Sequence, residues 1–582
     1  MTFGRSGRRD GLHFTRTRGG WMPVMALFLL AFVLRALGAD YGYLHGDEPI
    51  GAAARVLTGE LVPEQHFYPP LVNYLTAIGF AGLYLLGLVL SWWDGTDGFR
   101  AQYFADPTVF YVTARLMTAA VGALSAPLAH AIARRLGLSQ GLALAVGLIL
   151  ALYPLGVYMA HISKGDVALA TAGLAVIWAL LARLDQGRPG WGDVVLALCV
   201  VLALSFKHSI LFILAPLAFG TAVLVTRSEG PVSMLRSLAL VLVTGAIIWP
   251  VLNIGIVLDF ENFLAFQQIQ AVMSLRMEEG AVAGLTMLAR RGIDMVLGLN
   301  PVLAVAALIT PLMLASRDCS LRHKPALVLV WLSIVVGTLA VAAMSGSRQP
   351  EHLWIANFAG LALLAALALA GLVQGGERAL RLGAGGVLVV GAALFAIGAA
   401  EPLRQAMAEP QRLRTDAYIA EHLAEDRILT MVDIGLPQRR EAQSMQLARW
   451  QRLAERYDVE MPQMAEERII RENAPGAVFY MAMPTVMYGL ESTDEEAVDY
   501  EVHPHAWPPQ REEWQLDYWI DLGFTAFLVS NLGYHLNEID SALMRNFFAD
   551  LVERCEMEAR FDPAKPLFLE REVSIFLCPT GA

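Results

Sequence analysis

Apolar stretches recur at about 21–39, 72–92, 108–133, 141–159, 167–183, 192–204, 209–226, 237–257, 294–315, 326–344, 353–373 and 384–400. A helix needs about 20 mostly apolar residues to cross a bilayer core. The pattern therefore predicts a polytopic α-helical membrane protein. The short polar gaps suggest its orientation. If all twelve stretches crossed, Arg134-Arg135 and Asp166 would fall on faces that oppose the charge bias. If 72–92 instead lies along the outer surface, the loops carrying Arg134/Arg135, Arg183/Arg188, Arg227/Arg236, Arg317/Arg322/Lys324 and Arg378/Arg381 all face the cytoplasm, as the positive-inside rule expects. Asn73, Tyr74 and Thr76 near the start of that stretch, and Trp92-Trp93 at its end, suit an interfacial helix. The expectation is about eleven transmembrane helices with a cytoplasmic N-terminus. The 192–226 region is split at Lys207-His208 into two short spans meeting at the outer face.

The pattern changes near residue 401. Short β-rich runs at Ile428–Val432, Val478–Met481, Thr525–Val529 and Val573–Leu577 alternate with helical stretches at Glu441–Tyr457, Trp514–Leu522 and Ala542–Cys555. This predicts a C-terminal soluble α/β domain with a largely parallel sheet, and a division into a membrane part, 1–400, and an extracytoplasmic part, 401–582. The acidic, proline-broken segment 491–510 reads as an exposed loop.

Composition supports the division. The 582 residues are 56% hydrophobic and 17% charged, with a mean hydropathy of +0.49. Residues 401–582 hold 33 acidic and 17 basic side chains, a net of −16, whereas residues 1–400 carry a net of +5. Basic residues are scattered through short loops without a stripe or binding signature, so nucleic acid is not an expected partner. Cys199 and Cys319 read as free thiols, while Cys555 and Cys578 could pair if their domain lies outside the cytoplasm. The apolar stretch from Trp21 to Ala39 has basic residues before it and no evident small-residue cleavage site, so it reads as an uncleaved first span in the inner membrane.

Candidate chemistry concentrates in the first external loop, 40–107. His45-Gly46-Asp47-Glu48-Pro49 follows the first span, and Tyr68-Pro69-Pro70-Leu71 comes about twenty residues later. Two adjacent carboxylates at a membrane surface are costly to hold without a use. Pro49 can open a short helix with Glu48 at its cap and Gly59 as its terminator. Ile50, Ala53, Ala54 and Leu57 would lay that helix on the membrane, with Asp47 favoured as an anion at its N-terminus. Asp166, in the second external loop, is the third acid. Lys164, Lys207 and Arg348 fall on the same face, and Arg35 and Arg115 lie near the outer ends of their spans. Carboxylates beside cations at the height of a lipid phosphate suit a base that deprotonates an acceptor while cations or a metal take up charge on a leaving phosphate.

His45-Gly46-Asp47-Glu48, Tyr68-Pro69-Pro70-Leu71, Ala114-Arg115-Leu116 with Arg134-Arg135, His161-Ile162-Ser163-Lys164-Gly165-Asp166 and Leu204-Ser205-Phe206-Lys207 occur in that order. In this the chain resembles the GT-C superfamily of membrane glycosyltransferases, which includes protein O-mannosyltransferases, lipid A aminoarabinose transferases and transferases acting on lipopolysaccharide core sugars. The resemblance implies a polyprenyl-phosphate sugar donor, an extracytoplasmic lipid, glycan or protein acceptor, and Asp47 as catalytic base. It matches Asp166 to a second-loop acid that positions the acceptor or a divalent metal (Mg or Mn), with Glu48 as a further candidate catalytic residue and ligand. Lys164, Lys207, Arg348, Arg115 and Tyr68 are candidate phosphate and substrate contacts. The aminoarabinose transferases carry Lys before the Pro-Pro pair, where this chain has Tyr68.

Plainer readings stand beside these. Asp47 and Glu48 could be a solvated pair capping a helix, Asp166 could cap its own helix while pairing with Lys164, and Arg35 could snorkel. A lipid-linked sugar flippase or a non-catalytic envelope assembly subunit are the alternatives in function. A transporter is expected to show internal repeats and broken midplane helices, whereas these acids cluster at one surface.

Overall fold

Every long apolar stretch forms helix, and small residues decide which helices are central. The computed structural model describes residues 21–41, 47–63, 65–274, 279–430, 441–442, 478–480, 514–521, 523–538, 542–568 and 570–579. Among these, eight helices are long and apolar enough to cross a membrane, and a bent pair makes nine. The Ile355–Gly375 helix is rich in Ala and Gly and buried along almost its whole length, so it is the hub of the bundle. Small side chains let neighbouring backbones approach closely. The equally apolar Pro231–Leu252 helix carries Leu, Val and Ile and is exposed at most positions, as a lipid-facing helix must be.

The count differs from eleven for physical reasons. Trp21–Ala36 and Trp191–Phe206 have 16 residues each, and at 1.5 Å per residue they reach only about 24 Å of the roughly 30 Å core. The stretch 294–315, expected as one span, is divided into Pro301–Leu308 and Thr310–Ala315, each with a proline in its first turn. Leu71–Val89, expected as interfacial, is an unbroken 19-residue helix that meets the length and apolarity of a span. The expected span 141–159 bends by 51° between Gln140–Ala151 and Pro154–Ala160, where Pro154 removes a backbone donor. Arg35, rather than snorkelling, is buried there and donates to the carbonyls of Leu150 and Ala151 at 3.1 and 2.9 Å. These are acceptors that the helix end leaves unsatisfied.

The first-loop helix forms at Ile50–Leu57, and Gly59 follows it with φ +93°. Its apolar face packs on protein rather than lipid: Ile50 and Ala53 are buried in a cluster with Phe80 and Phe110.

The C-terminal sheet has six strands in the described residues: β1 (Ile428–Thr430), β2 (Glu441–Ala442), β3 (Val478–Tyr480), β4 (Ala526–Ser530), β5 (Glu556–Phe561) and β6 (Val573–Leu577). Their order is β2-β3-β1-β4-β6-β5. The first four are parallel, β6 adds antiparallel to β4, and β5 adds antiparallel to β6 at the edge. Side chains alternate between two faces. Leu429, Phe527, Val529 and Phe576 pack with Phe547, Phe548 and Leu551 of the Ala542–Arg554 helix. Ile428, Leu528 and Ile575 pack on the other face with Ile419 of the Gln411–His422 helix and with Leu423, which follows it. The predicted helix at Glu441 begins instead as β2, with 443–457 outside the described residues, as is the 491–510 loop. The Arg378–Met407 helix runs past 401, so the two parts share a continuous element.

Candidate active site

The two acid-bearing loops are brought together by backbone junctions at one end of the bundle. Gly165 opens the Gly165–Gln186 helix, and a β-carbon there would meet the Phe206 carbonyl at 2.8 Å. Only glycine lets the two chains approach so closely. This contact sets Asp166, in the first turn of its helix, beside Lys207, which ends the Trp191–Phe206 helix in an extended conformation. The Lys207 ammonium donates to Asp166 Oδ1 at 2.6 Å, with the carboxylate almost wholly buried.

Asp47 and Glu48 have opposite surroundings. Glu48 is fully buried: its carboxylate accepts from Arg115 Nε and Nη2 at 2.9 and 2.6 Å and from the Ser163 amide at 2.7 Å. Arg115 also donates to the Ala39 carbonyl at 2.9 Å. Glu48 thus ties the first loop to the Thr108–Ala123 helix and to the second loop, and its carboxylate does not cap the Ile50–Leu57 helix. Asp47 accepts from Lys164 Nζ at 2.6 Å while its side chain is 55% exposed. It is the open acid of the pair.

Tyr68 links the two halves. Lys207 Nζ stands 5.6 Å from its ring centroid. Surrounding protein, and then the carboxylates of Asp166 and Asp47, push its phenol above the ordinary value against the pull of Arg348, so it remains a protonated donor. The backbone before Tyr68 is clasped by the Phe260–Ser274 helix. Gln267 and Gln270 donate to the carbonyls of His66 and Phe67, and His66 Nε2 lies 2.8 Å from Asp259 Oδ2.

His352, half-buried in the turn before the hub helix, is within electrostatic reach of Asp166, Lys207, Lys164 and Asp47. Sequence reasoning stopped at Arg348, four residues earlier in the same polar gap. The short interval from Arg348 to His352 just ahead of an apolar run is the signal that could have found it. His45 and Gly46 lie outside the described residues.

The candidate metal ligands each have other partners in this structure. Glu48 is engaged by a guanidinium and an amide, and Asp166 by an ammonium. Among the described residues no group of three or more His, Cys, Asp or Glu side chains is placed to hold a metal ion. Among the described residues, the assembled cluster holds two carboxylates, Asp47 and Asp166, with three cations, Lys164, Lys207 and Arg348. An excess of positive charge on partly buried side chains suits an anionic group.

No protein-family model matches this chain, and no curated protein sequence does. Solved structures do. The ArnT protein of Cupriavidus metallidurans, crystallised with undecaprenyl phosphate, matches over 96% of this chain and 98% of its own, at 16% identity and a TM-score of 0.50. The oligosaccharyltransferase AglB of Archaeoglobus fulgidus, in complex with an inhibitory peptide and a dolichol-phosphate, matches over 88% of this chain and 69% of its own, at 10% identity and a TM-score of 0.45. The likeness to ArnT is one of fold over nearly the whole length: this is a multi-pass membrane protein with an ArnT-like helical bundle and a C-terminal mixed-sheet domain.

Proposed function

We propose that this protein is a membrane glycosyltransferase that moves a sugar from a polyprenyl-phosphate donor to a hydroxyl-bearing acceptor outside the cytoplasm, with inversion at the anomeric carbon. The observation that carries this reading is the single cluster in which exposed Asp47 stands with Lys164, Lys207 and Arg348. A protein of similar fold has been crystallised with undecaprenyl phosphate, which supports a lipid phosphate as the anion.

In the proposed step, Asp47 removes the acceptor proton as the acceptor oxygen bonds to the anomeric carbon. The bond from that carbon to the phosphate oxygen breaks, and its electron pair leaves with the polyprenyl phosphate. Lys164, Lys207 and Arg348 stabilise the charge that develops there. Phosphate is already a good leaving group, so no second acid has to protonate it. The transition state resembles the oxocarbenium ion of glycoside hydrolysis. Asp166 holds Lys207 in place, and Tyr68 offers a hydroxyl donor to the phosphate or sugar. No step runs through a metal.

The test is donor-dependent transfer by the purified protein in proteoliposomes. Asp47→Asn should lower the rate by about 10²–10⁴-fold, the usual contribution of a general base, while donor binding stays close to wild type. A fully active Asp47→Asn protein would remove Asp47 from the chemistry. Donor translocation without any sugar transfer would favour a flippase instead.

A further inference from the structure

Among the described residues, one short segment of the C-terminal domain packs against the loops that carry the candidate active site. Pro566–Phe568 forms a single 3-10 turn whose Phe568 ring is buried against the membrane part. The ring stacks on Tyr41, with centroids 4.5 Å apart, and meets the rings of Tyr158 and His161 edge-on at 5.5 and 5.6 Å. Backbone bonds fix the turn: the Tyr158 hydroxyl donates to the Leu567 carbonyl at 2.6 Å, and the Leu567 amide donates to Gln405 Oε1 at 2.9 Å. Lys565 Nζ donates to the Ala406 carbonyl at 2.8 Å.

The residues under Phe568 belong to both acid-bearing loops. Tyr41 lies beneath the Arg115 guanidinium, whose central carbon is 4.0 Å from the ring centroid, and Arg115 holds Glu48, the neighbour of Asp47. His161 begins the second loop, three residues before Lys164, and its Nε2 lies 2.8 Å from the Leu37 carbonyl of the first. Gly38, at φ +77°, is pressed so close to Ala406 that a β-carbon would stand 2.8 Å from its backbone. The first loop, the second loop and the root of the C-terminal domain thus meet at one aromatic ring.

From this packing we infer that Phe568 is a positioning residue for sugar transfer, a wedge from the C-terminal domain that sets the separation of the loops carrying Asp47 and Lys164. The inference rests on the transferase reading for its kinetic consequence and on packing alone for its structural one. A displacement of about 1 Å at a reacting group can cost on the order of 10²-fold in rate. Removing the wedge should therefore act on kcat, because no part of Phe568 is placed in the phosphate cluster.

The experiment uses the full-length protein in proteoliposomes. Phe568→Ala should lower kcat by about 10- to 100-fold with the donor KM within about twofold of wild type. It should also speed amide exchange in peptides covering 37–41 and 158–166, while the Ile355–Gly375 helix exchanges as before. Phe568→Leu, which refills part of the volume but none of the ring contacts, should keep a several-fold loss of kcat that is smaller than that of Phe568→Ala. Unchanged exchange in both peptides with a folded Phe568→Ala protein would overturn the inference, as would unchanged kcat in a protein that transfers sugar. If Phe568→Ala does not fold, Phe568→Leu decides, with a several-fold loss of kcat supporting the inference and a wild-type rate refuting it. Exchange needs no substrate, so if the wild type transfers nothing while Phe568→Ala shows the local change, the transferase reading falls and the wedge stands.

Discussion

Asp47 and Glu48 are neighbours with the same functional group and opposite environments. The Glu48 carboxylate is enclosed by Arg115 and the Ser163 amide, both sides of the ion pair being almost inaccessible. Breaking a buried pair from one side leaves an uncompensated charge and typically costs about 3–5 kcal/mol. Glu48→Ala should therefore lower stability by about that amount, read as a large loss of thermal stability in detergent, whereas Asp47→Asn should change it by less than about 1 kcal/mol, as for an exposed pair. Equal destabilisation by both variants would contradict the division into anchor and open acid. The sequence marked the pair but could not say which member turned inward. That choice is made by Arg115, 67 positions away in the chain, and no local pattern reports a partner at that distance. Asp166 and Lys207 were legible because one lies in the first turn of a helix and the other just past the end of one, and the close approach of Gly165 to the Phe206 carbonyl explains how they meet.

At the scale of elements, the docking segment of the C-terminal domain has its own pH dependence. Burial pushes the Lys565 amine down to about 8 from an ordinary 10.5, with Glu570 and Asp40 pulling the other way. A lysine whose folded value is depressed binds fewer protons folded than unfolded between those two values, so stability rises with pH across that window. The penalty is full below about 8 and gone above 10.5. The melting temperature of the wild type minus that of Lys565→Met should therefore climb between pH 7 and 10, and a flat difference would show an ordinary amine. Elements with strong local patterns were legible: four strands were expected where β1, β3, β4 and β6 form, as was the helix ending at Arg554. The edge strand β5, Glu556–Phe561, was not, because an exposed edge carrying Glu and Arg lacks a buried strand's apolar run. Pro301, Pro311 and Pro154 broke stretches whose apolar composition alone read as continuous.

At the scale of the whole molecule, two features of different origin bear on which side of the membrane the candidate site faces. The basic short loops fit the proposed cytoplasmic face for one end of the bundle, and that proposal puts the acidic C-terminal domain outside. Within that domain Cys555 and Cys578 form a disulfide across a separation of 23 residues, a bond that persists in oxidising compartments and is rare in the cytosol. Cys199 and Cys319, in the membrane part, are free thiols. Closing a loop of that length stabilises a fold by about 3 kcal/mol in the chain-entropy view. The domain that supplies Phe568 to the site should thus loosen when the bridge is reduced. Protein from cells lysed directly into denaturant containing the mass tag should accept two tags without reduction and four when reduced first. Four tags without reductant would place the domain in a reducing compartment. Because the Pro566–Phe568 turn docks beside the acid-bearing loops, that result would move Asp47 to the same side and rule out an acceptor outside the cytoplasm.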